Sequence, residues 1–311
     1  MEYPHRPVMV DEIITHLVTL RDGIYVDGTA GSGGHSEAIL SSLSDKGRLI
    51  CLDRDAEAIN ICRSRLRDPF KRVTFVSANF ADLGMVLGDL GISGVNGILL
   101  DLGMSSYQLD QSGRGFSFSR DERLDMRMDQ SGGTTAEDII NRFSARDLEA
   151  ILRNYGEEKR ARAISRLIEA ERGKGPIATT LQLARLIRSI TPHSRSPWTK
   201  DPATRTFQAL RIAVNRELEN LNRFLDTVPC LIESRGRLVF LTYHSLEDRA
   251  VKKAIADWEK TCVCPPDLPE CICGKTSLFK RVNKKMIKPV MQEIQDNPRA
   301  RSAILRAAER I

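Results

Sequence analysis

The sequence predicts an α/β protein in which a parallel, Rossmann-like sheet is interrupted by an inserted all-α domain. In the first third of the chain, short runs of β-branched and aliphatic residues alternate with segments of helical periodicity, and one further such run returns near residue 240. Between them, residues 134–232 carry apolar residues at helical spacing. Apolar strands that alternate with helices are typical of a parallel sheet covered on both faces.

The first part of the chain contains most of the predicted strands. Strands are expected over residues 23–28, 47–55, 72–80 and 95–103. Helices are predicted over residues 33–43 and 56–66, directly after the first two strands. Strands connected in this way run parallel, so their carboxyl ends lie at one edge of the sheet.

The chain changes character after Asp101. Residues 102–134 are polar, contain several glycines and lack periodicity, which predicts a long ordered loop at an active site rather than a linker. Helices are then expected over residues 135–143, 144–173, 179–192 and 201–232, followed by a strand at 236–245 and a helix at 246–258. The first two of these helices begin with a capping hydroxyl group and acidic residues. The sheet domain is therefore predicted to comprise residues 1–105 and 216–311, and the helical insertion residues 106–215.

Composition narrows the class of protein. A hydrophobic fraction of 41% supports packed cores, and no apolar run approaches the roughly 20 residues that span a bilayer, so no membrane partner is expected. The N-terminal residues lack the apolar core and cleavage site of a signal peptide. Seven cysteines, an odd number, argue against a disulfide framework. We therefore expect a cytoplasmic protein.

Positive charge is concentrated in the predicted insertion. Between Asn141 and Arg216 there are sixteen Lys and Arg residues against seven Asp and Glu, a net charge of +9 compared with +6 for the whole chain. Such a distribution favours contact with a phosphate backbone, so a nucleic acid is the expected partner. The alternative is an ordinary solvated helical surface, because Lys and Arg are good helix formers.

A glycine-rich turn follows the first predicted strand. Residues 27–36 read DGTAGSGGHS, and such a turn lets the backbone approach a cofactor closely. The absence of a Lys after the glycines excludes a P-loop. Gly31 and Gly33 fill the first two positions of the dinucleotide-binding fingerprint, but Ser36 occupies the third, which weakens that interpretation without excluding it.

The ends of the other predicted strands carry polar and aromatic residues. Asp53, after the second strand, is placed either to pair with the hydroxyl groups of an adenosine ribose or to cap the next helix. Asn79 and Phe80 follow the third strand, where an adenine ring needs an apolar face and hydrogen bonds at its edge. Asp101 ends the fourth strand. A carboxylate there suits a cationic cofactor, so S-adenosylmethionine is favoured over reduced nicotinamide.

Long motifs distributed in order along nearly the whole chain carry a family resemblance. The most specific are DLGMSSYQLD at 101–110, RGFSFSRDERLDMRMD at 114–129, TRTFQALRIAVNREL at 204–218, YHSLEDR at 243–249 and NPRARSAILRAAER at 297–310. Together with the glycine turn, these segments resemble the ribosomal RNA small-subunit methyltransferase H family, also called MraW.

This resemblance implies a class I, Rossmann-like methyltransferase fold with an inserted all-α domain. It also implies an S-adenosylmethionine-dependent enzyme that methylates N4 of cytidine 1402 in 16S rRNA, at the decoding centre of the small ribosomal subunit. The cofactor residues carried over to this sequence are Gly33, Gly34, His35, Asp53, Phe80, Asp101 and Gln108. The sequence leaves open whether the substrate is free rRNA or an assembled subunit, and whether the enzyme forms a homodimer.

Three other functions compete with this interpretation. An NAD-dependent oxidoreductase is disfavoured by Ser36, by Asp101 and by the basic insertion. A non-enzymatic RNA-binding protein is disfavoured because the strand-end cofactor residues are intact. A methyltransferase acting on DNA or protein is disfavoured by the family resemblance alone.

Two residues are predicted to act in methyl transfer. Asp101 would orient or accept a proton from the cytidine amine, helped by the backbone carbonyl groups of Leu102 or Gly103; alternatively, it serves only the amino group of the cofactor. His244, near the end of the predicted strand at 236–245, would bind the cytidine or accept a proton. The alternative for His244 is a structural side chain bonded within its own turn.

The target base must leave its stack to reach a site at the end of a strand. Phe116 and Phe118 lie among arginines and are candidates to stack on that base, with packing inside the loop as the alternative. The Pro-Pro-aromatic motif of many DNA amino-methyltransferases is absent, because DLGM occupies residues 101–104.

Two Cys-x-Cys pairs lie close together near the C-terminal end. The four cysteines are Cys262, Cys264, Cys271 and Cys273. Four thiolates within a dozen residues suit a closed tetrahedral zinc site, so we expect a structural zinc ion that takes no part in catalysis. Cys51, Cys62 and Cys230 lie in apolar patterns and are predicted to belong to the core.

Overall fold

The computed structural model describes residues 7–68, 70–104, 108–109, 113–190, 201–265, 270 and 272–311. The chain divides into two compact units, which are here called the sheet unit, Met1–Gly103 with Leu218–Ile311, and the helical unit, Met104–Glu217. The sequence had placed these boundaries at 105/106 and 215/216. Within the described residues, none of the helices combines the length and the apolar character needed to cross a membrane.

A seven-stranded sheet forms the centre of the sheet unit. Its strands are β1 Ile24–Asp27, β2 Arg48–Asp53, β3 Val73–Ser77, β4 Val95–Asp101, β5 Ile232–Thr242, β6 Phe279–Arg281 and β7 Ile304–Arg310. Their order is β3-β2-β1-β4-β5-β7-β6. The first five strands are parallel, and β7 runs antiparallel to β5 and β6. The predicted class I methyltransferase fold is therefore confirmed.

The helices follow in chain order. They are α1 Val10–Leu17, α2 Gly34–Ser42, α3 Ala56–Arg65, α4 Leu83–Asp89, α5 Ala136–Arg142, α6 Ala145–Gly156, α7 Ala161–Arg172, α8 Thr180–Ile190, α9 Thr204–Asn215, α10 Glu217–Thr227, α11 Ser245–Glu259 and α12 Met291–Asp296. Helices α5 to α9 belong to the helical unit, and none of the described residues of this unit lies in a strand of the sheet.

The sheet has an apolar layer on each face. Alternate residues of a strand point to opposite faces, and accordingly Tyr25 and Leu49 belong to one buried cluster, whereas Val26 and Ile50 belong to the other. Helices pack on both layers, with α1 and α2 against the first and α10 and α11 against the second. Strands buried on both faces explain why β1, β2 and β4 appear in the sequence as nearly continuous apolar runs.

Three details of the predicted secondary structure were wrong. The helix expected over residues 201–232 is two helices, α9 and α10, separated by Arg216 in a left-handed conformation with a φ of 51°. The end of the predicted segment already belongs to β5, which begins at Ile232. The helix expected over residues 144–173 is likewise two helices, α6 and α7, because Glu157 adopts a φ of 49° after α6.

The helical unit has a buried core of its own, and the segment that precedes its helices is part of that core. Phe116, Leu124 and Met126 are buried together with residues of α5 to α9. The side chain of Asn215 ties this segment to α9, because its amide group accepts from the N–H of Met128 at 2.9 Å and donates to the carbonyl of Met126 at 2.8 Å. Packing and these hydrogen bonds hold residues 113–134, the described part of the polar segment that follows the gap, against the helices.

The starts of α5 and α6 follow the predicted capping pattern. The hydroxyl groups of Thr135 and Ser144 accept from the N–H groups of Asp138 and Asp147 at 3.0 and 3.1 Å. Asp138 also accepts from the N–H of Thr135, which completes a capping box. These caps satisfy N–H groups that have no partner inside the helix.

Candidate cofactor site and active site

Three carboxylates lie at the carboxyl ends of neighbouring parallel strands. Asp27 ends β1, Asp53 ends β2 and Asp101 ends β4, and β1 lies between the other two strands. Burial raises the pKa of Asp27, and the charge of Asp101 raises it further. Burial also raises the pKa of Asp53, to about 6, with smaller contributions from the charges of Asp55 and Asp27. Carboxylates that repel one another in this way favour a cationic ligand.

Two glycines of the turn between β1 and α2 lie where no side chain would fit. Gly33 adopts a φ of 83° as the residue before α2, and a Cβ atom there would lie 3.0 Å from the Sγ of Cys62. At Gly28 a Cβ atom would lie 2.5 Å from a methyl group of Leu100. At Gly28 and Gly33 the turn therefore packs directly on β4 and α3, and a side chain at either position would collide with those elements.

The amino end of α2 offers donors to an anionic group. The helix begins at Gly34, and no side chain of the described residues caps its first turn. The N–H groups at the start of a helix have no partner within it, and the helix dipole makes this end favourable for a carboxylate. A cofactor with a carboxylate and positive charges thus matches both α2 and the strand-end acids.

Asp53 holds the glycine turn against β2. Its two carboxylate oxygens accept from the N–H groups of Gly31 and Asp55, each at 2.9 Å. The residue that caps α3 is Asp55, whose side chain accepts from the N–H of Glu57 at 3.1 Å, so the helix-capping alternative for Asp53 was wrong. The carboxylate of Asp53 is partly exposed, and its remaining lone pairs can accept from ribose hydroxyl groups.

Asp101 has one buried oxygen that lacks a partner in the part of the chain that the structure describes. Its N–H donates to the hydroxyl oxygen of Thr29 at 2.7 Å, and its Oδ2 lies 3.5 Å from Nδ1 of His35. Within the described residues, Oδ1 is buried and forms no hydrogen bond. A buried acceptor without a donor is costly, so this atom points to a donor group of a ligand.

Tyr243 lies beside Asp101 on the neighbouring strand end. Burial raises the pKa of Tyr243 well above its usual value, and the charge of Asp101 and a hydrogen bond to its carboxylate raise it further. A Cβ atom on Gly103 would lie 2.8 Å from the Tyr243 ring. The phenol is therefore neutral and lies beside the carboxylate of Asp101.

His35 links the N-terminal segment to the site. Its Nε2 lies 2.8 Å from the carbonyl oxygen of Val8, and since a carbonyl can only accept, Nε2 donates. This hydrogen bond directs Nδ1 towards Asp101. Pro7 also covers the start of α2, because a Cβ atom on Gly34 would lie 3.1 Å from its ring.

Phe80 opens a short 3-10 helix after β3. The side chain of Asn79 accepts from the N–H of Ala81 at 3.0 Å and caps this helix. The Phe80 ring is half-buried and meets Phe224 of α10 edge to face, with a centroid distance of 5.7 Å. Gln108 belongs to the helical unit and is buried. Contacts of Phe80 and Gln108 with a cofactor remain predictions.

His244 is the capping residue of α11. Its Nδ1 accepts from the N–H of Glu247 at 3.5 Å, and the Glu247 carboxylate accepts from the N–H groups of Tyr243 and His244. The His244 Nε2 lies 2.9 Å from the Oε1 of Glu247 but lacks hydrogen-bond alignment. This geometry favours the structural alternative for His244, and its catalytic role remains a prediction.

Sequence reasoning missed two residues of the site. Asp27 is fully buried and accepts from the hydroxyl group of Ser36 at 2.6 Å. The strand-end criterion that selected Asp53 and Asp101 also applies to Asp27, the first residue of the glycine motif. Tyr243 gave no such signal. The contact with Asp27 also explains why serine stands where a dinucleotide fingerprint has glycine.

Phe116 and Phe118 pack inside the helical unit. Phe116 belongs to its buried core. The ring of Phe118 lies 5.0 Å from that of Phe207, and the guanidinium group of Arg188 lies over it at 5.8 Å. These contacts favour packing over base stacking for both rings.

The predicted zinc ligands are only partly covered by the structure. Cys262, Cys264 and Cys273 lie together, with their sulfur atoms within 4.8 Å of one another. Cys271 lies outside the described residues. Cys230, which was predicted to be buried, is exposed, so that prediction was wrong; Cys51 and Cys62 are buried as predicted.

A family model and several known proteins match this chain over nearly its whole length. A family model described as the MraW methylase family matches residues 2–311. Two proteins named ribosomal RNA small subunit methyltransferase H are similar: that of Desulfosudis oleivorans is 46% identical and covers 100% of both chains. That of Lachnospira eligens is 45% identical and covers 100% of this chain and 99% of its own. A solved structure of an rRNA methylase from Streptococcus thermophilus aligns with a TM-score of 0.42 and 10% identity, covering 97% of this chain and 93% of the other.

Proposed function

The chain belongs to the MraW methylase family, and on that premise we propose that it is a cytoplasmic, S-adenosylmethionine-dependent methyltransferase that methylates N4 of cytidine 1402 in 16S rRNA. The observation that carries the cofactor assignment is the buried Oδ1 of Asp101, which forms no hydrogen bond within the described residues. It lies at a sheet edge with two further carboxylates, where a cation is favoured. The names of the full-length relatives support rRNA of the small subunit as the substrate.

The residues present fit S-adenosylmethionine. The carboxylate of its methionine part suits the first turn of α2, whose N–H groups no side chain of the described residues caps. Asp53 accepts from the ribose hydroxyl groups, and the half-buried ring of Phe80 offers an apolar surface for the adenine. When bound, the cofactor supplies a methyl group made electrophilic by a sulfonium.

Asp101 accepts from the amino group of the cofactor through Oδ1. Three neighbours of Asp101 support this role. Thr29 and His35 belong to the glycine turn and the start of α2, where the methionine part would bind, and the neutral phenol of Tyr243 lies beside the carboxylate. The same carboxylate is the candidate to orient the cytidine amine, since it is at the end of β4, where reacting groups meet in sheets of this type.

The main experiment is labelled methyl transfer to purified small ribosomal subunits from cells that lack this activity. We expect label in one nucleoside, N4-methylcytidine, within the RNA fragment that contains position 1402. Subunits from cells that retain the activity are the control and should accept little label. Parallel reactions with free 16S rRNA show which form of the substrate is used. Label in another nucleoside, or no label in either substrate, would contradict the proposed reaction.

The role of Asp101 is tested by Asp101→Asn. The amide keeps the shape but loses the charge, so we expect cofactor affinity to fall by about 10- to 100-fold, as for the loss of a hydrogen bond between charged groups. Methyl transfer at saturating cofactor separates binding from catalysis. If affinity falls but the saturated rate is unchanged, Asp101 acts only on the cofactor. If affinity is unchanged, Asp101 does not bind the cofactor.

The role of His244 is tested by comparing His244→Asn with His244→Ala. Asparagine is a good capping residue and alanine a poor one, so only the alanine variant should lose the cap, at a cost of about 1 kcal/mol. If His244 is structural, the asparagine variant keeps full activity. Loss of activity in both variants, with the stability of the asparagine variant intact, would assign the imidazole a part in the reaction.

The helical unit is proposed to recognise the RNA. Its net positive charge between Asn141 and Arg216 supports this role. Binding of the small subunit should therefore weaken steeply as salt concentration rises, because phosphate contacts release counterions. A binding constant that is insensitive to salt would contradict RNA recognition by this unit.

A further inference from the structure

The connection between α11 and β6 is long, and its described part has no core of its own. It covers residues 260–278, longer than the roughly 15 residues of most loops, and none of its described residues lies in a helix or strand. Within its described part, no apolar side chain is buried, and Val263 and Ile272 are 60% and 78% exposed. The hydrophobic effect therefore contributes little to holding the described part before Leu278 in place, and a cross-link there would stabilise it.

The two ends of this connection are firmly anchored. The rings of Trp258 and Phe279 pack at a centroid distance of 4.9 Å. The N–H of Leu278 donates to the carbonyl of Trp258 at 2.9 Å, and the ammonium group of Lys275 donates to the carbonyl of Asp257 at 3.1 Å. The loop therefore starts and returns at one place on the sheet unit.

Three cysteine sulfur atoms meet inside the loop. Those of Cys262, Cys264 and Cys273 lie within 4.8 Å of one another, and the sulfur atoms of Cys262 and Cys273 are 3.9 Å apart. A disulfide bond is about 2.05 Å long, so these two sulfur atoms are not bonded. Sulfur ligands at about 2.3 Å from a tetrahedral zinc ion are about 3.8 Å apart. The distance between the sulfur atoms of Cys262 and Cys273 matches this sulfur–sulfur distance.

Backbone groups are directed at the sulfur atoms. The N–H of Cys264 lies 3.4 Å from the sulfur of Cys262, and the N–H of Val263 lies 3.5 Å from that of Cys273. Donors of this kind stabilise the thiolate over the thiol and orient metal ligands. Gly274, with a φ of 59°, lets the chain turn away directly after Cys273.

We propose that Cys262, Cys264 and Cys273 bind a structural Zn²⁺ ion as thiolates. Each thiol releases its proton to solvent on binding, and no electron transfer is involved. Soft thiolate ligands in a tetrahedral arrangement select zinc among the common divalent ions. Cys271, the fourth cysteine predicted from the sequence, lies outside the described residues, and the proposed site does not depend on it. The ion cross-links the loop between α11 and β6, and it lies outside the candidate cofactor site.

The test uses the full chain, purified without chelator and then incubated with zinc chloride and desalted. Plasma mass spectrometry should find about one zinc per chain. Cys262→Ser and Cys273→Ser should each lower the zinc content at least fivefold. Cys230→Ser is the matched control, since it removes an exposed cysteine outside the loop, and it should retain the wild-type zinc content. The same four proteins with Co²⁺ should show thiolate charge-transfer absorption in the wild type and in the control only.

A second readout keeps the proposal falsifiable if a variant folds poorly. In the wild-type protein, removal of the metal by a chelator should make cleavage within residues 260–278 by a protease at least tenfold faster. Readdition of zinc should reverse this change. Less than half an equivalent of zinc, iron with inorganic sulfide in place of zinc, or a disulfide among the cysteines in freshly purified protein would each overturn the proposal.

Discussion

Replacing Asp53 by asparagine should raise stability and lower cofactor affinity in the same molecule. Burial raises the pKa of Asp53 from 3.8 to about 6, and this increase outweighs the two N–H groups, from Gly31 and Asp55, that favour the ionised form. A carboxyl group with such a shift destabilises the folded protein by about 3 kcal/mol when it is ionised. The asparagine removes this charge but keeps only one accepting oxygen, which costs about 1 kcal/mol.

The sign of the pH dependence follows from the direction of the shift. Because the pKa of Asp53 is higher in the folded than in the unfolded protein, the folded state takes up a proton first as the pH falls. The free energy of unfolding of the wild type should therefore decrease, relative to Asp53→Asn, as the pH rises from about 4 to about 6, and then level off. At pH 7.5 we expect the variant to be more stable by about 2 kcal/mol.

Cofactor binding should change in the opposite direction. The ribose hydroxyl groups lose a charged acceptor in Asp53→Asn, which corresponds to about 1.5–3 kcal/mol, or roughly a 10- to 150-fold weaker affinity. In the wild type, affinity should also fall below about pH 6, when Asp53 of the ligand-free protein becomes protonated. Urea unfolding and isothermal titration with S-adenosylhomocysteine measure the two effects separately.

Asp55→Asn is the matched control for Asp53→Asn. It keeps a good capping residue on α3, and its side chain accepts from the N–H of Glu57 rather than from the glycine turn. Its cofactor affinity should stay within about twofold of the wild type. If Asp53→Asn binds the cofactor as tightly as the wild type, Asp53 only holds the turn. If Asp53→Asn and the wild type show the same pH dependence of stability, burial of the Asp53 charge has no energetic consequence.

Three further substitutions test other parts of the structure. Gly33→Ala places a methyl group at a φ of 83° and against a sulfur atom of α3, so it should destabilise the protein by about 2 kcal/mol and weaken cofactor binding. Gly113→Ala, at a φ of 65° in open space, controls for backbone strain alone. Equal losses of cofactor affinity in the two variants would refute the idea that the cofactor lies close to Gly33. Tyr243→Phe should lower cofactor affinity about 5- to 10-fold in a titration, because Asp101 loses a donor, and an unchanged affinity would remove Tyr243 from the site. Thr135→Ala should cost about 1 kcal/mol in urea unfolding through the lost cap, whereas no change would show that the capping box is not stabilising.

The parts of the fold that could be predicted are those whose signal is local. β1, β2 and β4 are apolar runs because both faces of the sheet are covered, and their acids at the carboxyl ends identify the ligand-binding edge. The hydroxyl caps at Thr135 and Ser144 act within one helical turn, so their sequence pattern is sufficient.

The parts that were missed depend on residues distant in sequence. The sequence of β7, ILRAAER, consists largely of alanine and arginine, which are not typical of strands. It forms a strand because it pairs with the edge of β5. The helical pattern over residues 201–232 continues across Arg216, where the backbone turns into a left-handed conformation that periodicity does not reveal.

The sequence by itself determined that this chain has a parallel α/β sheet, a helical insertion, and acidic residues at the ends of strands. These features can be predicted because each depends on residues that are close together in the sequence. Only the tertiary structure decided what those acids contact. Asp53 accepts from the glycine turn, and Asp101 lies beside Tyr243, more than a hundred residues away in sequence, while one of its oxygens has no donor among the described residues. Such contacts arise because parallel strands bring distant chain segments to one edge of the sheet, and no local pattern encodes which side chains meet there.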